Sequence, residues 1–132
     1  MTYTNLDAFT VAYLECALWA ETDNADESGG EPLDANYVIS DFASEAVKKA
    51  ISDCRRFQED NAELLQKAEY GHPGYTDDEM AGHDFWLTRN GHGAGFWDGD
   101  LPGDIGDKLT NACKAFGECW ITVGDDGRLY ID

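Results

Sequence analysis

The sixteen residues His83-Asp-Phe-Trp-Leu-Thr-Arg-Asn-Gly-His-Gly-Ala-Gly-Phe-Trp-Asp98 hold two of the chain's four tryptophans and two of its three histidines. An Asn90-Gly91 pair sits at their centre, between two aromatic-rich runs. Such a pair favours a two-residue turn, because both central residues of that turn need positive φ and Asn and Gly tolerate it best. The stretch therefore predicts a β-hairpin around which the rest of the chain is organised. With that turn Arg89 faces His92, Leu87 faces Ala94, Phe85 faces Phe96 and His83 faces Asp98. Phe85 and Leu87 then mark the core face, and Trp86 covers the backbone of Gly95 on the other. A four-residue loop, Asn90 to Gly93, keeps the hairpin and shifts the register.

Length allows one domain: 132 residues can bury roughly two-thirds of the surface of the unfolded chain, so no disulfide is required. Charge is less ordinary, with 27 acidic residues against 9 basic and a net charge of -18. The excess is uneven. Residues 1–47 carry ten carboxylates and no Lys or Arg, residues 48–89 nine against six, and residues 90–132 eight against three. A field of this sign repels nucleic acid and anionic membranes and speeds encounter with basic partners. The cysteines at 16, 54, 113 and 119 lack CxxC spacing, and three lie at apolar positions, as buried thiols do. No run of 18 apolar residues and no basic-then-apolar leader is present, which leads us to expect a reducing cytoplasm and no membrane contact.

In chain order, Thr4-Asn-Leu-Asp7 has capping-box spacing and opens a segment with Leu6, Phe9, Tyr13, Cys16, Ala17 and Ala20 at helical intervals. Val11, Leu14 and Leu18 add a second apolar side, leaving Asp7 and Glu15 on a narrow exposed strip. Glu21 to Ala35 reads as an acidic loop broken by Gly29-Gly30 and Pro32. From Val47 to Ala68 a stripe of Ala50, Ile51, Cys54, Phe57, Asn61, Leu64 and Leu65 predicts one long helix, with Lys48, Lys49, Arg55 and Arg56 off the stripe. Gly71-His-Pro-Gly74 ends it, and Asp77 to Ala81 forms a short acidic helical turn before the hairpin. Asp104 or Asp107 caps a third helix through Leu109, Ala112, Cys113 and Phe116, ended by Gly117. Trp120 to Val123 and Arg128 to Ile131 then form a second hairpin. The expected fold is one α+β domain over residues 1–132, with about four antiparallel strands and three helices mainly on one face.

Each candidate site has a bland counterpart. Asp98-Gly-Asp100 with Gly103 resembles the start of a calcium loop, but Pro102 stands at position five and Leu109 at position twelve, where ligands belong. A solvated turn before a helix cap accounts for it. His83, Asp84, His92 and Asp98 could supply a metal or general-base site, although their spacing is no known ligand signature. A solvated turn histidine and a cross-strand pair would explain them as well. Thr88 and Ser28 have no nucleophile motif around them. Asn90 to Gly95 lacks the helix and lysine of a phosphate cradle.

The run from Ala81 to Asp98 resembles a family of small acidic proteins encoded by bacteriophages, most of them without an assigned activity. Tyr13-Leu-Glu-Cys-Ala-Leu-Trp19, Asp53-Cys54 with Phe57-Gln58, and Val123-Gly-Asp-Asp-Gly127 resemble it too, so the likeness spans nearly the whole chain. The resemblance implies no reaction. It implies a setting in which small accessory proteins act on host machinery, including DNA-binding defence proteins. The expectation is a non-catalytic, cofactor-free binder in the bacterial cytoplasm that engages a basic host protein, with DNA mimicry and inhibition of host defence as one form that engagement could take. Glu21, Asp23, Asp26, Glu27, Glu31 and Asp34 would make the contact, with no metal and no direct nucleic acid. The alternative is a small metal-dependent enzyme or ligand binder using His83, Asp84, His92 and Asp98.

Overall fold

In the computed structural model, residues 6–22, 31–92, 95–97, 101 and 104–132 are described. Among them lie five helices, α1 Ala8–Ala20, α2 Ser44–Asp60, α3 Ala62–Gln66, α4 Asp77–Arg89 and α5 Ile105–Cys113. One antiparallel hairpin follows, β1 Ile121–Val123 and β2 Leu129–Ile131. The chain is thus mixed helix and strand, with a two-stranded sheet where four strands were expected and five helices where three were.

The largest correction concerns residues 83–92, which are helical through Arg89 rather than paired as a hairpin. The helix is signalled at both ends. Thr76 accepts from the Glu79 backbone N–H at 3.2 Å while Glu79 accepts from the Thr76 N–H at 2.9 Å, a reciprocal capping box. At the other end Asn90 is the C-cap and Gly91 takes a φ of +68°. The His92 N–H reaches the Leu87 carbonyl at 3.1 Å and the Gly91 N–H the Thr88 carbonyl at 3.3 Å. That is a Schellman end, which needs the same positive φ at glycine that a hairpin turn needs. Asn-Gly was a stop signal for a helix, and the cross-strand pairs drawn from it do not form. The partners Ala94 and Asp98, and Gly93 of the alternative four-residue loop, lie outside the described residues.

Helix α1 is apolar almost all round, and only Ala8, Glu15 and Trp19 are exposed along it. Its N-cap is Asp7, which accepts from the Thr10 N–H at 2.8 Å; Thr4 lies outside the described residues. Partial burial pushes the Asp7 carboxyl up, but bonds from Thr10 and Gln58 outweigh this and hold it below its usual value. Contacts climb α1 and α4 in the same sense. Phe9 and Tyr13 both meet Phe85, and Tyr13 also meets Trp86 edge-on at 5.2 Å. Gly82 makes this approach possible, since a Cβ there would run into the Phe9 carbonyl oxygen.

Ala46, Val47, Ala50, Cys54 and Phe57 of α2 are buried on the expected stripe. The stripe is interrupted at Asn61, the single residue between α2 and α3, whose side-chain amide donates to the Phe57 carbonyl at 2.9 Å. Phe57 is the hub of an aromatic cluster, 4.2 Å from Phe85, 5.7 Å from Phe96 and 5.8 Å from Phe116 between ring centres. Such pairs add about 0.5–1.5 kcal/mol each beyond burial. The hairpin closes the far side: Phe42 bridges Leu129, and the Ala43 N–H donates to the Leu129 carbonyl at 2.8 Å. All four cysteines are free and buried.

Candidate functional site

On α1, Glu15, Cys16 and Trp19 fall on one side at i, i+1 and i+4. On α4, Met80, His83, Asp84 and Leu87 share one side at i, i+3, i+4 and i+7. The two rows line a groove of about 480 Å³. Asp34, in a 3-10 turn over Leu33–Ala35, forms part of its rim, and His72 and Tyr75 join from the connection before α4. A second depression of about 490 Å³ adjoins it, sharing Glu15 and Asp34 and adding Leu18, Tyr37, Val38, Ile39 and Ser40.

The groove is acidic and aromatic, and no Lys or Arg lines either depression. Residues 6–47 and 68–88 contain neither residue type, and these are the segments that build it. Neither Glu15 nor Asp34 has an ion-pair partner among the described residues. Trp19 is 65% exposed and Tyr75 48%. Four of the nine basic residues gather on α2 instead, where Lys48, Arg55 and Arg56 line a separate depression with Glu59.

Several hydrogen bonds and ring contacts fix the inner wall. The Tyr70 hydroxyl donates to Asp84 Oδ2 at 2.7 Å, holding a nearly buried carboxyl group. Tyr75 lies between two imidazoles, tilted against His72 at 5.2 Å and edge-on to His83 at 5.4 Å. The Gly74 N–H donates to His72 Nδ1 at 3.0 Å. Burial holds His83 below the usual histidine value, against the pull of Glu15 and Glu79, so its ring is neutral at neutral pH. The Cys16 thiol is pushed up to about 12 by burial, with Asp84 and Glu21 adding to it. Such a shift favours the protonated thiol, as in a buried structural cysteine.

The two residue sets drawn from the sequence meet here in an unexpected way. Asp34 of the acidic set and His83 and Asp84 of the other share the groove. Glu31 is exposed and accepts from Asn36 at 3.2 Å. Glu21 is committed internally, its Oε2 held by Trp86 Nε1 at 3.0 Å and by His92 Nε2 at 2.6 Å. His92 is therefore tied to the end of α1 and does not join His83. Asp23, Asp26, Glu27 and Asp98 lie outside the described residues. No cluster of three or more His, Cys, Asp or Glu with metal-binding geometry occurs among the described residues. Glu15, Trp19, Tyr75 and His72 were not anticipated as site residues. The signal for the first two was present: Glu15 and Trp19 are four apart on the one strip of α1 that the apolar pattern leaves open.

Compared with family models, with curated proteins and with solved structures, the chain matches none of them. No helix among the described residues is long and apolar enough to cross a membrane.

Proposed function

We propose that this chain is a non-catalytic acidic binding protein that engages a basic surface of a host protein, one built to hold nucleic acid, in the bacteriophage setting its motif resembles. The observation that carries the reading is the pair of adjoining depressions around Glu15 and Asp34, lined by carboxylates and aromatic rings and by no Lys or Arg. A net charge of -18 draws a basic partner in from a distance. The exposed Trp19 and Val38 then give it apolar surface to close on. The contact set shifts accordingly: Glu15, Glu31 and Asp34 face outward, whereas Glu21 serves the fold.

The test uses immobilised protein and the fraction of a bacterial lysate that binds a DNA column. Retention at low salt, release as NaCl rises and displacement by duplex DNA are the expected results. A Glu15→Gln, Glu31→Gln, Asp34→Asn variant should retain less, mainly through slower association. Equal retention by wild type and variant, or indifference to DNA, would refute the reading.

A second reading, a small-ligand or metal site, is favoured by one observation, the joint presence of His83 and Asp84 in the groove. Calorimetric titration with zinc decides it: saturable binding abolished by His83→Gln would replace the first reading.

A further inference from the structure

A face that only needed to be negative would not need a groove with aromatic walls. Trp19 and Tyr75 present large exposed rings on a groove whose other walls supply Glu15, Asp34 and the Tyr70-held Asp84. At about 480 Å³ it has the size of a side-chain or small-ligand site and is open to solvent. Rings and carboxylates together select a cation that is flat and weakly hydrated. A guanidinium lies against an aromatic face and turns a fork of N–H donors to a carboxylate; an ammonium ion does neither as well, and holds its water more tightly. His83 in the wall does not oppose such a guest, because it packs edge-on against Tyr75 and burial holds its ring below the usual histidine value.

We infer that the groove between α1 and α4 is the receptor for one arginine side chain of the partner. Its guanidinium lies against the Trp19 and Tyr75 rings and its N–H groups turn to the Glu15 and Asp34 carboxylates. This deepens the binding function proposed above and rests on it. The neighbouring depression, continuous through Glu15 and Asp34, takes the backbone and flanking apolar residues of the segment that carries the arginine.

The experiment is an NMR titration of isotope-labelled protein with N-acetyl-argininamide, repeated with N-acetyl-lysinamide and with a hexa-arginine peptide. Expected are saturable shifts at the Trp19 indole N–H and at Tyr75, with the lysine probe at least about twofold weaker. Trp19→Leu should weaken the arginine probe about two- to fivefold, the factor carried by one exposed cation–π contact. Trp19 is exposed, so that variant keeps the fold. Shifts elsewhere than the groove, equal binding of lysine, or no effect of Trp19→Leu would overturn the arginine receptor. Hexa-arginine separates the two levels. If it binds in a salt-dependent way with its shifts off the groove, the receptor falls and the acidic-face function stands. If it fails to bind at physiological salt, the function falls with it.

Discussion

Replacing Arg89 with methionine should cost more stability than almost any other single change. Its side chain is 2% exposed and spends its donors on four groups: Asp53 Oδ2 at 2.9 Å, the Tyr13 hydroxyl at 3.1 Å, and the carbonyls of Phe116 and Gly117 at 2.9 Å each. Its cation also lies over the Phe85 and Phe116 rings, 5.5 and 5.7 Å from their centres. Burial holds the Tyr13 phenol well above its usual value, so that partner is a neutral hydroxyl accepting a bond. Methionine fills similar volume and makes none of these bonds. Breaking a buried pair by removing one partner costs about 3–5 kcal/mol. Asp53 softens the loss, because it keeps Lys49 at 3.2 Å and is 17% exposed. The Tyr13 hydroxyl is left with the Cys119 Sγ at 4.0 Å, while the two carbonyls lose the guanidinium that serves them, and a stranded buried polar group costs about 1–3 kcal/mol. We therefore expect about 3–5 kcal/mol, a large part of the roughly 5–15 kcal/mol that holds a domain together. Urea unfolding followed by tryptophan fluorescence measures it, and the melting temperature should fall by about 10 °C or more. Arg89→Lys should recover only part, since an ammonium cannot span four partners in one plane. A loss below about 1 kcal/mol for Arg89→Met would refute the reasoning, because it would mean that water reaches these groups.

Gly82→Ala should destabilise by about 1–3 kcal/mol, as the new methyl collides with the Phe9 carbonyl and crowds the Ala12 methyl at 3.1 Å. If α1 and α4 did not touch there, the same change would stabilise a helix by up to about 1 kcal/mol, so the sign of the measured effect decides. His83 titrates below its unfolded value, so its contribution is whole above about pH 6.5 and is lost as pH falls through the lowered folded value. Wild type should lose stability relative to His83→Gln between pH 7.5 and 5.5, and parallel curves would contradict the burial of that ring. With 18 excess negative charges, the melting temperature should rise from about 10 to 150 mM NaCl as screening shortens to about 8 Å; a flat curve would show local ion pairs prevailing.

Elements whose signal is a single period were legible in the sequence. The α1 and α2 stripes and the hairpin around Gly124-Asp-Asp-Gly127 stand where apolar spacing and turn chemistry put them. Asn61 interrupts the long helix with a side-chain hydrogen bond to the Phe57 carbonyl, which an apolar pattern does not register. Helix α4 was misread because Asn-Gly serves helix ends and hairpin turns alike, and because Phe85, Trp86 and Phe96 carry strand propensity. Thr76-Asp-Asp-Glu79 was the stronger evidence, since a capping box has meaning only before a helix. The groove depends on two helices, Ala8–Ala20 and Asp77–Arg89, far apart in sequence coming side by side, and no local pattern encodes that.

The enclosure of α1 by α4 has a consequence for how the chain is made. Phe9 and Tyr13 find their covering ring, Phe85, more than 70 residues downstream. At a synthesis rate of about 5–20 residues per second, α1 waits about 4–15 s on the ribosome before that ring emerges. Throughout that interval a helix apolar on nearly every side has no native partner in α4, and it offers a nascent-chain chaperone its most obvious binding sequence. Yield in cells should therefore respond to chaperone supply and translation speed before it responds to the thermodynamic stability of the finished fold.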